Sequence, residues 1–324
     1  MSQAYSNPPH ERLRLIASRQ NSFVKDLRRA FSQAIPNDDG SVAIEGVKLV
    51  EEAIRSGLRL RAVFFSESAR PGASGRQRSV TRPSAACVQR ANRLLPQLGH
   101  NTETILLPDD IFHSAVATET PQGVAALIYP LVSTLENLFR PAPAAGSSAG
   151  PHPPSFGECG DDARSLAAPL IPAPLILGCA GLQDPGNFGT ILRSAEAFGA
   201  TGVLATEGTV SAANPKVARA SAGSLFRLPV IKLTTAEALA ALAQNGIRLA
   251  VTSSHKGRPV HEVDLTLPTA IFIGSEGLGV PRALLDRADD AILIPHSPKV
   301  ESLNAAIAAS ILLYEAQRQR SPKP

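Results

Sequence analysis

The stretch with the most chemical content is Gly274-Ser275-Glu276-Gly277-Leu278-Gly279, which sets one carboxylate among three glycines. Glycines there let the backbone approach a ligand, and the helix start expected at Pro281 offers N–H groups without an intrahelical partner. Such a segment is either a plain tight turn or a ligand cradle. A carboxylate inside it repels phosphate, so a cationic or neutral polar ligand suits it better than a nucleotide phosphate. A second polar loop runs from His296 to Glu301 into Ser302-Leu303-Asn304, followed by Ala305, Ala306, Ala308, Ala309 and Ser310. Ser302 and Asn304 are both N-cap types. A third cluster lies upstream, Gln183-Asp184-Pro185-Gly186-Asn187-Phe188-Gly189, read as a loop with Arg193 in the first turn of the helix after it.

These loops need strands to carry them. Residues 271–273 and 292–294 are short β-branched runs of the kind buried parallel strands use, and each is cut off by one of the loops. Further strands are expected at 175–180, 203–205, 228–231 and 247–252. Between them run helical stretches. One buries Ile191, Ala195 and Phe198 and stops at Gly199; the next opens at Asn214-Pro215, carries Lys216 and Arg219 and closes at Gly223; the third runs from Glu237 to Asn245-Gly246. This alternation predicts an α/β fold with a parallel sheet and a site at the C-terminal ends of its strands. In the last helix Leu303, Ile307, Ile311 and Tyr314 recur at spacings of three and four. They are expected to form its apolar side, leaving the small residues as a flat face for another helix.

Glu276 within GSEGLG, the strand ILIP, and SLN opening an alanine-rich helix resemble the last two motifs of the SpoU group of RNA ribose 2'-O-methyltransferases. LQDPGNFGTILRSAEAFGA, residues 182–200, resembles the first. The resemblance implies a SPOUT-class, TrmH-like catalytic domain over residues 174–319, whose C-terminal segment is threaded as a trefoil knot, an exception to the general absence of knots. It also implies S-adenosyl-L-methionine as cofactor and a homodimer formed through that domain. Carried across by position, Thr252, Gly274, Glu276, Gly277, Ile294 and Leu303 would surround the cofactor. Asn187, Arg193, Glu276, Ser302 and Asn304 would act in catalysis or shape the site, with Arg193 handling the ribose hydroxyl. A guanidinium is essentially always protonated, so clamping phosphate and stabilising a developing alkoxide suit it better than acting as a base.

Residues 11–129 read as a separate small α/β domain. Val24, Leu27 and Phe31 form a helical stripe, Val47, Val50 and Ile54 a second that Gly57 stops, and 85–98 a third helix ended by Gly99. Strands are expected at 42–44, 60–65, 104–107 and 124–128, and residues 66–83 as an exposed basic loop. The phrases SRQNSFVKDLRRAF, IEGVKLVEEAI and TPQGVAAL are similar to the ribosomal-protein-like RNA-binding module that many SpoU enzymes carry. That similarity implies RNA contacts from Arg19, Asn21, Lys25, Arg28 and Arg29, with Lys216 and Arg219 as further candidates. By charge pattern alone the same residues fit a solvated helix face. Residues 130–173, rich in Pro, Ala and Gly, read as a mobile linker.

Composition bounds the rest. A net charge of +4 and a pI near 9.1 allow a polyanionic partner without demanding one. Cys87, Cys159 and Cys179 lie far apart, and the seven histidines show no paired spacing, so reduced thiols and no metal are expected, with the histidines at the surface or in loops. No apolar run has signal-peptide or membrane-span length, which points to a soluble, cytoplasmic protein away from membranes. The expected function is S-adenosylmethionine-dependent ribose 2'-O-methylation of structured RNA, ribosomal RNA first and transfer RNA next. The competing expectation is a non-catalytic RNA-binding or ribosome-associated protein that keeps the fold.

Overall fold

The computed structural model describes residues 12–67, 84–116, 118, 120–139, 173–253 and 256–321. The expected basic loop from residue 68 onward, and the linker over 140–172, lie outside the described residues. The chain forms two compact units that interleave along the sequence. One holds residues 1–133, 181–193 and 208–230; the other holds 134–180, 194–207 and 231–324.

The first unit is built on β1 (Arg14–Leu15), α1 (Ser22–Gln33), β2 (Val42–Glu45), α2 (Val47–Arg55), β3 (Leu60–Ser66), α3 (Ala85–Leu94), β4 (Glu103–Leu107), α4 (Asp109–Ala115) and β5 (Val124–Ile128). Its sheet has the order β1-β4-β3-β5-β2. The first three strands are parallel, and β5 runs antiparallel to both β3 and β2. Both sheet faces are covered. Phe64 packs with Val24, Leu27 and Phe112 on one side, and its neighbour Phe65 with Val50 and Leu94 on the other, as alternation along a strand requires. The helix expected to reach residue 98 ends at Leu94 and tightens into a 3-10 turn over Leu95–Gln97, because Pro96 has no N–H to continue the ladder.

The remaining elements are α5 (Leu135–Phe139), β6 (Leu175–Ala180), α6 (Pro185–Ala197), β7 (Gly202–Ala205), α7 (Pro215–Ala220), β8 (Val230–Lys232), α8 (Thr235–Gln244), β9 (Arg248–Thr252), β10 (Arg258–Pro259), β11 (Thr269–Gly274), α9 (Arg282–Leu285), β12 (Asp290–Leu293) and α10 (Ala305–Arg320). The second sheet has the order β10-β12-β9-β11-β6-β7-β8, and its strand pairs from β10 to β7 are parallel. The parallel α/β architecture expected from the alternation is therefore present. Helix α8 is closed by a reciprocal capping box between Thr234 and Glu237.

Two elements differ from expectation in ways that matter for the site. Pro185 to Gly189 are not loop: α6 begins at Pro185, with Asp184 accepting the Asn187 N–H at 2.6 Å. Asn187 thus lies in the first turn, while Arg193 is the ninth residue of the helix rather than part of its start. In α10 the core face consists of Ala305, Ala306, Ala309, Leu312, Leu313 and Ala316; Ile307, Ile311 and Tyr314 are exposed. The buried face thus combines small residues with Leu312 and Leu313, and the helix packs toward β11.

Candidate active site

Strands β9, β11 and β12 end together, and a cavity of about 410 Å³ opens at their C-terminal ends. This volume falls in the rough 300–1,000 Å³ range of small-molecule sites. Gly274 ends β11, and the chain folds back so tightly that a Cβ on Gly274 would lie 1.9 Å from the Gly279 carbonyl carbon. The Gly279 N–H closes this loop on the Ser275 carbonyl at 2.9 Å, and the Leu278 N–H reaches the Ser275 hydroxyl at 3.2 Å. The loop is thus pinned at its neck with Glu276 in its arm. Leu278, 94% exposed, stands at the cavity mouth.

Of the residues assigned to the cofactor, Thr252, Gly274, Glu276, Gly277, Ile294 and Leu303 all line this cavity, and Ser302 does so as well. Asn304 is the N-cap of α10. Its side-chain oxygen accepts from the N–H groups of Ala306 and Ile307, and its amide nitrogen donates to Glu276 Oε1 at 3.1 Å. One side chain therefore fixes the helix start and orients the carboxylate. Asn187 and Arg193 lie on α6, and neither is among the cavity's lining residues.

His296 is a site residue that the sequence reading placed at the surface or in a loop. It lines the cavity with its Nδ1 2.7 Å from the Ile294 carbonyl oxygen. A carbonyl only accepts, so Nδ1 carries the proton and Nε2 is the acceptor in the neutral ring. The available signal was its position two residues after the strand end, beside Ser302-Leu303.

The lining suits a particular ligand chemistry. Ile273, Val280, Leu285, Ile292, Ile294 and Leu303 give apolar walls, Glu276 is the carboxylate, and among the described residues no lysine or arginine lines the cavity. Such a surface disfavours phosphate and fits a flat apolar ring system joined to a group of positive charge. Among the described residues no cluster of histidine, cysteine or acidic side chains could hold a metal, and no helix is long and apolar enough to cross a membrane. Cys87 and Cys179 are buried, and burial pushes the Cys179 thiol up to about 12.

The residues expected to meet RNA are all in the first unit. Asn21 caps α1 by accepting from the Phe23 N–H. Lys25 and Lys216 are exposed. Arg19 pairs with Asp110 at 3.0 Å, and Arg29 with Asp38 at 2.9 Å. Arg28 donates to the Ser114 carbonyl and hydroxyl. Exposed pairs of this kind are worth about 0–1 kcal/mol, so a phosphate can displace them. Arg219 differs, because its partner Glu45, at 3.2 Å, has a side chain only 3% exposed.

Residues 174–314 match the model of the SpoU rRNA Methylase family, and residues 21–126 that of the MRM3-like substrate binding domain. An uncharacterised tRNA/rRNA methyltransferase of Synechocystis is 31% identical over 306 residues, 94% of each chain. The 23S rRNA (guanosine(2553)-2'-O)-methyltransferase RlmP of Bacillus subtilis is 28% identical over 93% of this chain and 98% of its own. An rRNA methyltransferase from Sinorhizobium meliloti, solved with AdoMet bound, superposes with a TM-score of 0.69 over 95% of this chain and 98% of its own; at 22% identity this likeness is one of fold. The chain belongs to the SpoU family of RNA ribose 2'-O-methyltransferases. It is accordingly an enzyme that methylates RNA.

Proposed function

We propose that this enzyme transfers the methyl group of S-adenosylmethionine to a ribose 2'-hydroxyl of structured RNA, with ribosomal RNA ahead of transfer RNA. The observation that carries the reading is the cavity at the ends of β9, β11 and β12, with apolar walls, the Glu276 carboxylate and, among the described residues, no lysine or arginine in its lining. When bound, the cofactor supplies a sulfonium-activated methyl group. Glu276, oriented by Asn304, favours a positive charge in the cavity, and the backbone of the Gly274 to Gly279 loop, which lines it, would hold the cofactor. Arg193 presents a fork of donors suited to the phosphate beside the reacting ribose. Positioning of two bound reactants meets much of the barrier in such a transfer.

Ribosomal RNA is favoured by the match of residues 21–126 to the MRM3-like substrate binding domain and by membership in a family of rRNA methylases. The reading includes a C-terminal trefoil knot, a cytoplasmic location beside the RNA, and a homodimer formed through the catalytic domain. The experiment is to incubate the enzyme with labelled S-adenosylmethionine and total RNA from a strain lacking the gene, then map ribose methylation. One methylated ribose in a ribosomal RNA is expected. Calorimetry should show cofactor binding that Glu276→Gln weakens by about tenfold, or roughly 1.4 kcal/mol. A wild-type protein that binds no S-adenosylmethionine would end this reading.

A further inference from the structure

We propose that Glu45 and Arg219 form a positioning contact through which the RNA-binding fold sets the placement of the helix carrying Asn187 and Arg193; the inference rests on the methyl-transfer reading above. Every residue in it belongs to the first compact unit. Glu45 ends β2 and is buried. Its carboxylate accepts the Thr118 hydroxyl at 2.5 Å, the Gln122 N–H at 3.1 Å and one nitrogen of Arg219 at 3.2 Å. A buried carboxylate that loses its cation is left with a desolvated charge, so this contact is far more demanding than an exposed pair.

Arg219 sits in the last turn of α7, and α7 is wedged between two neighbours. On one side Ala218 joins the core cluster of Ile44 and Val50. There Arg227, after α7, also pairs with Glu52 of α2 and donates to Ser56 at 3.0 Å. On the other side α7 meets α6 at Gly189, where a Cβ would lie 2.5 Å from the Ala220 Cβ and 2.7 Å from the Val217 carbonyl oxygen. Gly189 comes two residues after Asn187 and four before Arg193, one helical turn from the guanidinium. Glu45 and Arg219 touch neither reactant in this scheme. They hold a rigid wedge, and RNA captured by the first unit meets Asn187 and Arg193 in a fixed place because of it.

Arg219 was also a candidate phosphate contact, and the two roles separate experimentally. Using the full chain, labelled S-adenosylmethionine and total RNA from a strain lacking the gene, Arg219→Ala should slow single-turnover transfer at saturating RNA by up to about 100-fold, the loss that a misplacement of reacting groups by about 1 Å causes. RNA affinity, its salt slope and cofactor affinity should stay at the wild-type values. Arg219→Lys should recover most of the rate, since the contact uses one nitrogen. Glu45→Gln should slow transfer similarly, and the double variant Glu45→Gln/Arg219→Ala should be no slower than the slower single. RNA affinity falling with the rate, and a salt slope flattened by about one unit, would make Arg219 a phosphate contact and overturn the proposal. An unchanged rate, or lost cofactor binding in Arg219→Ala, would overturn it too. Failure of the wild-type enzyme to methylate any RNA would instead count against the methyl-transfer reading.

Discussion

Arg193 is exposed at the ninth position of α6, so its guanidinium is not held in the core, and the role proposed for it is chemical. Charge and shape make different demands on that side chain. If it holds phosphate and hydroxyl with a planar fork, Arg193→Ala should abolish transfer while cofactor affinity moves by less than about tenfold, roughly 1.4 kcal/mol. Arg193→Lys should be nearly as inactive, because an ammonium keeps the charge without the fork. Activity restored by lysine would show that charge suffices, and loss of cofactor binding in the alanine variant would show a structural role. The contrast with Arg219 is useful: there one nitrogen meets one carboxylate, and lysine should serve. Two arginines thus call for opposite outcomes of the same substitution.

At the scale of elements, Gly189 sets two effects against each other. Alanine is better than glycine inside a helix by about 1 kcal/mol. At this position, however, the added methyl would meet the Ala220 side chain and the α7 backbone well inside contact distance. Overpacking of that kind costs about 1–3 kcal/mol, so Gly189→Ala should lower the midpoint of denaturant unfolding, and an unchanged or raised midpoint would show that α6 and α7 are not in close contact. The sequence made most of this frame legible. The apolar runs at 175–180 and 124–128 coincide with β6 and β5, since buried strands announce themselves by short continuous apolar runs. The start of α6 was hidden because Asp184-Pro185 is an N-cap followed by a first-turn proline, chemistry that also reads as a turn. Two residues of β1 are too few to show a period, and α4 follows Pro108 with Asp109 and Asp110 in its first turn, signals that were present and passed over. All six proposed cofactor contacts fell on one cavity because they cluster at strand ends. His296 did not declare itself, since a lone histidine in a polar loop has no pattern to read.

At the scale of the molecule, the face of α10 that points to solvent carries Ile307, Ile311 and Tyr314, 55, 36 and 55% exposed. These residues stand at i, i+4 and i+7, one stripe of a helix, and Tyr314 meets Phe198 edge-on with ring centroids 5.9 Å apart. The helix therefore buries its alanines together with Leu312 and Leu313 and presents Ile307, Ile311 and Tyr314 to solvent. An apolar stripe left in water is what an association surface provides, and a second copy of this chain is the partner proposed for it. A stable dimer interface removes about 1,200–2,000 Å² from solvent, more than three side chains supply, so neighbouring surface of the second unit must join them. Light scattering at micromolar concentration should give twice the 33.9 kDa chain mass, and Ile307→Lys combined with Ile311→Lys should give the monomer with its circular dichroism unchanged. Both positions already face water, so the lysines strain nothing in an isolated chain and act only where a partner would bury them. A wild-type monomer, or a double-lysine variant that remains dimeric, would assign this stripe to something other than self-association.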